Sequence, residues 1–191
     1  MENPDFKIIT REFYQSDPSL VAQELLGKYL VRKLDENILI GKIVETEAYL
    51  GKNDPAAHAF KGKTRRNAVL FGEAGIAYIF SIHRYHCFNV VTETIDMPSG
   101  VLVRAVEPVE GIAMMQQLRG VDIGKGFTDG PGKVCQALDI TRALNGVDLT
   151  SSNSPLYIIE GESVPFERIE KSERIGLSKG SDLLLRFHIG S

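Results

Sequence analysis

The sequence predicts a mixed α+β fold: one domain around a mostly antiparallel β-sheet, with a single protruding β-hairpin. Three observations predict it. Short runs rich in β-branched and aromatic residues come in pairs joined by three-residue turns: 28–34 with 38–47, and 76–81 with 85–91. Helical patterns fall between these pairs and do not alternate with single strands, as a parallel sheet would require. The 191 residues suit one domain, and no internal repeat or low-complexity segment is visible.

In order along the chain, Ser16-Asp17-Pro18 opens a helix, with Asp17 as N-cap and Pro18 in the first helical position. Leu20, Val21, Leu25 and Leu26 follow at helical spacing, and Gly27 ends the helix. The first hairpin turns through Asp35-Glu36-Asn37. Asn53-Asp54-Pro55 repeats the cap-then-proline pattern and predicts a short helix with His58 in its first turn. The basic stretch 61–66 contains Gly62 and reads as a loop. The second hairpin has Ile82-His83-Arg84 at its tip, where a hairpin that merely closes a sheet more often carries Asn-Gly. Residues 101–105 form a strand, and Arg104 within that apolar run needs a partner, for which Glu47 and Glu107 are candidates. Residues 108–118 are expected to form a helix with Val109, Ile112, Ala113 and Met115 on its apolar side, followed by a loop over 120–126. Asp129-Gly-Pro-Gly-Lys133 leads into a short helix over 134–138; free N–H groups there suit a phosphate, although Gly-Pro-Gly is also a common turn. Residues 156–160 are a strand, Arg174-Ile175-Gly176 lies in a loop, and 183–189 supply the final strand.

Hydrophobic residues make up 43 % and charged residues 25 % of the chain, and no apolar run approaches the roughly 18 residues of a membrane span. The polar start, Met-Glu-Asn-Pro-Asp, carries no secretory pattern, so a cytoplasmic protein is expected, with Cys87 and Cys135 as free, buried thiols. A net charge of −3 argues against coating nucleic acid by bulk charge. It leaves room for a local basic face. Between Pro55 and Gly72 there is no acidic residue, whereas Lys61, Lys63, Arg65 and Arg66 all occur there. The ordinary reading of such a run is a solvated loop.

The chemistry concentrates in 43–58, where an apolar strand runs into Glu45, Glu47, Tyr49 and His58. Two exposed strand-end charges are the ordinary reading of the glutamates. A carboxylate desolvated at the mouth of a buried strand is the alternative, and such a group serves as a general base on water. His83, His86, Cys87 and His58 lack metal-ligand spacing, so no metal is expected. Phosphate-loop, dinucleotide-binding and serine-hydrolase motifs are absent. Tyr49, Tyr78, Phe80 and Tyr85 are either sheet-face core or a stacking platform for a flat ligand. A pointed hairpin, phosphate anchors, an aromatic slot and a base for water are what a base-flipping enzyme requires. A non-catalytic nucleic-acid-binding module and a small-nucleoside hydrolase also remain open at this point.

Five blocks in this order resemble the 3-methyladenine (alkyladenine) DNA glycosylase family. They are Gly41-Lys-Ile-Val-Glu-Thr-Glu-Ala-Tyr-Leu-Gly51 with Ala-Ala-His58, Thr64-Arg-Arg-Asn67, Tyr85-His-Cys-Phe-Asn89, Val101-Leu-Val-Arg-Ala-Val-Glu-Pro108 and Gly130-Pro-Gly-Lys-Val-Cys-Gln-Ala-Leu138. A weaker echo lies at Arg186-Phe-His-Ile-Gly190. The resemblance implies residues 1–191 as a single DNA glycosylase domain, acting on damaged double-stranded DNA as a monomer. It implies hydrolysis of the N-glycosidic bond of damaged purines by water, with no cofactor and no lyase step. On this resemblance Glu47 is the general base, and Arg104 and the backbone carbonyl of Ile189 hold the attacking water. Tyr49, His58 and Phe80 are walls of the base pocket, and Asn89 crowds the amino group of normal guanine. Arg66 and Lys133 contact the DNA backbone. The family's hairpin usually carries an intercalating tyrosine. Here the tip is one residue shorter, with His83 nearest that slot and Arg84 beside it, which predicts a weaker or differently selective wedge.

Overall fold

The structure, a computed structural model, describes residues 7–180 and 182–190. In chain order its elements are α1 (Arg11–Tyr14), α2 (Pro18–Glu24), β1 (Tyr29–Leu34), β2 (Asn37–Tyr49), β3 (Ala77–Ile82), β4 (Tyr85–Thr92), β5 (Ser99–Glu110), α3 (Ile112–Arg119), α4 (Pro131–Ala137), β6 (Leu156–Ile159), β7 (Ile169–Ser172) and β8 (Arg186–Ile189). Among the described residues, the strands form one eight-stranded sheet in the order β3-β4-β5-β2-β1-β6, with β8 joining β2 and β7 joining β8. Every strand pairing is antiparallel. This is the expected α+β class, and the β3–β4 hairpin protrudes with an exposed tip.

Arg11–Tyr14 adds a short helix not expected from the sequence, whereas local chemistry fixes α2 as expected. The Asp17 carboxylate accepts the Ser19 N–H at 2.8 Å, Pro18 takes the first helical position, and Gly27 leaves the chain at φ 85°. β2 is the hub of the sheet. One edge carries β5, and the other carries β1 along its first half and β8 along its second. The main core lies between one face of the sheet and the helices, with Leu39, Ile43, Ala48, Val101, Val103, Val106, Phe88 and Phe187 meeting Val21, Leu25, Val134 and Leu138.

A bulge decides which way the functional end of β2 faces. Leu39 and Ile43 point into the main core, so strict alternation would send Glu45 and Glu47 there too. Instead the β2–β5 register shifts between Ile43 and Glu45 and again between Glu45 and Thr46. Beyond the bulge, Thr46 and Ala48 face the core, with the Thr46 hydroxyl donating to the Ala22 carbonyl at 2.8 Å. Glu45, Glu47 and Tyr49 therefore emerge on the opposite face.

Several boundaries differ from expectation: the final strand begins at Arg186 and not at 183, and β7 is a strand beyond those expected. No helix forms over 53–58: a 3₁₀ turn covers Gly51–Asn53, and the inward-turned Asp54 side chain accepts the Ala56 N–H without a helix following it. The helix expected over 108–118 begins only at Ile112. β5 continues through Pro108, paired with Gly41, as far as Glu110, and Gly111 breaks the chain at φ 73°. Val109 is consequently an exposed strand residue, and Met115 is the buried residue of α3. The last helix starts earlier than expected, with Pro131 at its first turn.

Candidate active site

The face opposite the main core carries a pocket of about 280 Å³, at the lower end of small-molecule sites. Register explains its floor. Tyr78, Asn89, Leu102, Glu47 and Arg186 are successive cross-strand partners on β3, β4, β5, β2 and β8. Residues two apart share a face, so Phe80, Cys87, Gly100 and Tyr49 line the pocket alongside this row. Ala56, Ala57 and His58 form one wall, and Ile175, Gly176 and Leu177 close the other side.

Glu47 is fully buried just behind the lining. Its Oε1 accepts the Ile175 N–H at 2.8 Å and lies 3.3 Å from Arg104 Nη1; its Oε2 accepts the Tyr49 hydroxyl at 2.9 Å. Burial and the Glu47 charge push the Tyr49 phenol up, which keeps it a neutral donor. Arg104 has Glu47 as a partner, as expected, but its second partner is Glu45 and not Glu107. Glu45 is no solvated strand-end charge. Its Oε1 accepts Arg104 Nε at 2.8 Å and Arg186 Nε at 2.7 Å. Burial pushes the Glu45 carboxyl up, but the Arg186 and Arg104 guanidiniums outweigh it and hold the group below its ordinary value. Two carboxylates and two arginines thus interleave, and Glu45 aims Arg104 so that Nη1 reaches Glu47.

The aromatic wall is tight. His58 packs edge-on to Phe80 with centroids 4.4 Å apart, and Tyr78 and Phe80 lie 5.6 Å apart. His58 is exposed, while its Nδ1 is 2.9 Å from the Tyr78 hydroxyl. Partial burial and the Arg66 charge hold the His58 imidazole down, toward its neutral form. Asn89 is buried, and its amide nitrogen is held by the Tyr78 carbonyl at 3.3 Å. Burial pushes the Cys87 thiol up to about 11, so it is an inert part of the lining.

Not every expected residue comes here. Ile189 pairs with Ile169 and lines a different groove, on the far side of Glu45 from Glu47. Because Glu47 sits opposite Arg186, the backbone of Ile189 is several residues too far along β8 to share a water with it. The main chain that does reach Glu47 is that of Ile175. At the hairpin tip His83 is exposed with φ 53°, and Arg84 lies over the Tyr85 ring at 5.2 Å. Ile82, half exposed, is the tip residue that lines the pocket mouth. Arg66 is exposed and donates to the Ser81 carbonyl at 3.3 Å, which ties the basic loop to the hairpin. Lys133 is paired with Asp129 at 2.7 Å, close to Pro131 on the pocket lining. Among the described residues, no group of three or more His, Cys, Asp or Glu is arranged to hold a metal ion, and no helix is long and apolar enough to cross a membrane.

Sequence reasoning missed one buried pair. Asp54 and Arg174 are both inaccessible, with Arg174 Nη2 2.9 Å from Asp54 Oδ1 and Nη1 on Oδ2. Arg174 also donates to the carbonyls of Ala48 at 2.9 Å and Gly180 at 3.0 Å, and lies over the Tyr49 ring at 4.6 Å. Burial pushes the Asp54 carboxyl up, but Arg174 and the N–H groups of Ala56 and Leu50 outweigh it and hold it down. The cap-like neighbourhood Asn53-Asp54-Pro55 disguised this pair in the sequence.

A slot lined by aromatic rings suits a flat heterocycle, and exposed cations beside it, such as Arg66, suit a polyanion. With a sequestered carboxylate at the floor, these define a hydrolase of the DNA N-glycosylase class. Comparison with known proteins supplies the family: the sequence model of the methylpurine-DNA glycosylases matches residues 12–191, and the chain belongs to that family. Among similar proteins, one of Carboxydothermus hydrogenoformans, provisionally named a 3-methyladenine DNA glycosylase, is 48 % identical over 183 residues, covering 95 % of each chain. Two with the same provisional name, from Methanocella arvoryzae and Methanoculleus marisnigri, are 45 % and 46 % identical, covering 94 % and 93 % of this chain and 89 % and 92 % of theirs.

Proposed function

We propose that this protein flips alkylated or deaminated purines of the 3-methyladenine, 7-methylguanine and hypoxanthine class out of duplex DNA, and hydrolyses the N-glycosidic bond with a water activated by Glu47. The observation that carries this reading is the occupancy of Glu47. A carboxylate offers about four lone-pair sites. Tyr49 and Ile175 donate to two of them, and Arg104 Nη1 stands 3.3 Å from Oε1 as an ion pair. Among the described residues Oε2 accepts only from Tyr49, and it keeps a position for a water. Water oxygen attacks C1′ as the purine departs, and its proton passes to Glu47.

Tyr49, His58 and Phe80 stack on the flipped base, with electron-rich faces that favour a cationic alkylated purine. Neutral His58 supplies a hydrogen bond to uncharged lesions, and buried Asn89 crowds the amino group of guanine. A lyase step requires an amine nucleophile. Among the described residues that line the pocket there is no lysine, which favours a monofunctional enzyme. In this reading Arg66 and Lys133 hold the phosphates, with Asp129 releasing Lys133, and the protein acts as a monomer.

The experiment is release of free base from duplex oligonucleotides carrying hypoxanthine or 3-methyladenine. The wild type is expected to leave an intact abasic site, and Glu47→Gln to slow release by about 10²–10⁴-fold. Equal release by Glu47→Gln, or no release by the wild type, overturns the mechanism.

A further inference from the structure

We propose that the buried Asp54–Arg174 pair is the positioning device of this site: it fixes the strap that brings Ile175 N–H to Glu47 onto the segment that carries His58, so that base and pocket wall are set as one unit. The guanidinium joins three separate stretches. It holds the end of β2 through the Ala48 carbonyl, the pocket wall through Asp54, and the far end of the strap through the Gly180 carbonyl. Asp54 in turn accepts the N–H of Leu50 at 3.1 Å and of Ala56 at 3.0 Å, which shapes the turn leading to His58. Ala48 lies between Glu47 and Tyr49, and the guanidinium face rests on the Tyr49 ring, whose hydroxyl holds Glu47. Ile175 is the next residue along from Arg174, so its N–H is placed by the same anchor.

A buried ion pair is weak stabilisation compared with apolar packing of the same volume. The geometry here does something packing cannot. A planar fork pairs bidentately with a carboxylate and keeps one flat face for an aromatic ring; a lysine ammonium has three donors around a point but neither the fork nor the face. Gly180 completes the device: it sits at φ 61°, and a Cβ there would lie 3.3 Å from both Arg174 Nη2 and Asp54 Oδ1.

This role rests on Glu47 being the base, and the test separates the two. Arg174→Lys is assayed for single-turnover base release at saturating enzyme, for affinity toward duplex DNA with a stable abasic analogue, and for hydrogen exchange of the Ile175 amide. Expected are a fall in release of about 10²-fold, as for a modest misplacement of reacting groups, unchanged affinity, and loss of Ile175 protection while the amides of β4 stay protected. If Arg174→Lys does not fold, Gly180→Ala, which keeps both charges, takes its place with a smaller fall and the same pattern. Wild-type release with the Ile175 amide still protected overturns the role. So does a loss of protection spread evenly over β4, which marks general destabilisation. Should Glu47→Gln retain full activity, the Glu47 mechanism fails, whereas the exchange pattern still reports whether Arg174 anchors Ile175.

Discussion

Replacing Glu45 by glutamine removes one negative charge from between two arginines and leaves the side chain's size unchanged. In the wild type, Oε1 accepts Arg104 Nε at 2.8 Å and Arg186 Nε at 2.7 Å, and the side chain is 17 % exposed. Glutamine keeps one accepting oxygen, and its bonds to the guanidiniums remain charge-assisted, so what is lost is the attraction between opposite charges. At about 0.5–1 kcal/mol for each of the two pairs, the loss is about 1–2 kcal/mol. For a protein of this size that lowers Tm by about 2–8 °C at pH 7. Release of base slows roughly tenfold as Arg104 loses its aim on Glu47. The pH dependence has a definite sign. The folded carboxyl is held below its ordinary value of roughly 4.3, so its stabilisation is present above that pH and disappears as pH falls through the folded value. Thermal melts of both proteins from pH 7 toward pH 3 are expected to converge at the acid end. Identical Tm values at pH 7, or a gap that persists unchanged in acid, would refute the reasoning.

Three further outcomes are expected. Ile82→Ala weakens flipping, read by the fluorescence of a base analogue beside the lesion, more than His83→Ala does, because Ile82 lines the pocket mouth and His83 does not; the reverse order restores His83 as the wedge. Tyr78→Phe removes the hydroxyl held at 2.9 Å from His58 Nδ1 and costs about 0.5–1.5 kcal/mol in thermal denaturation. The same substitution lowers excision of hypoxanthine more than of cationic 3-methyladenine, since only the neutral lesion depends on an oriented imidazole. Arg66→Ala and Lys133→Ala each reduce the slope of log affinity against log salt by about one, without changing lesion ranking, if they hold phosphates.

Much of the site was legible because its chemistry is compressed into short stretches. Glu47, Tyr49 and His58 occur within a dozen residues, and Arg104 betrayed itself as a cation in an apolar strand. The hairpins were legible from β-branched runs flanking short turns. What stayed hidden depends on distant partners or on register. Asp54 looks like a cap until Arg174, 120 residues away, is seen beside it. Pro108 looks like a helix start, yet its missing N–H is tolerated where β5 continues opposite Gly41. Two isoleucine–glycine steps, at 175–176 and 189–190, look alike in sequence, and only the pairing of Glu47 with Arg186 sets the second one aside. Likewise, alternation along β2 gives no hint that the face changes between Ile43 and Thr46.

That extra residue makes β2 tolerant of a change in length at one point and intolerant just beyond it. Val44 is only half buried and can vary in character without redirecting anything downstream. Deleting it would restore unbroken alternation from Ile43, with Glu45 outward, Thr46 inward and Glu47 outward, so the reagents would keep their face. Deleting Thr46 instead would leave the bulge in place and turn Glu47 in among the helices. Lineages of this protein can therefore lose a residue at the bulge, but not between it and Tyr49.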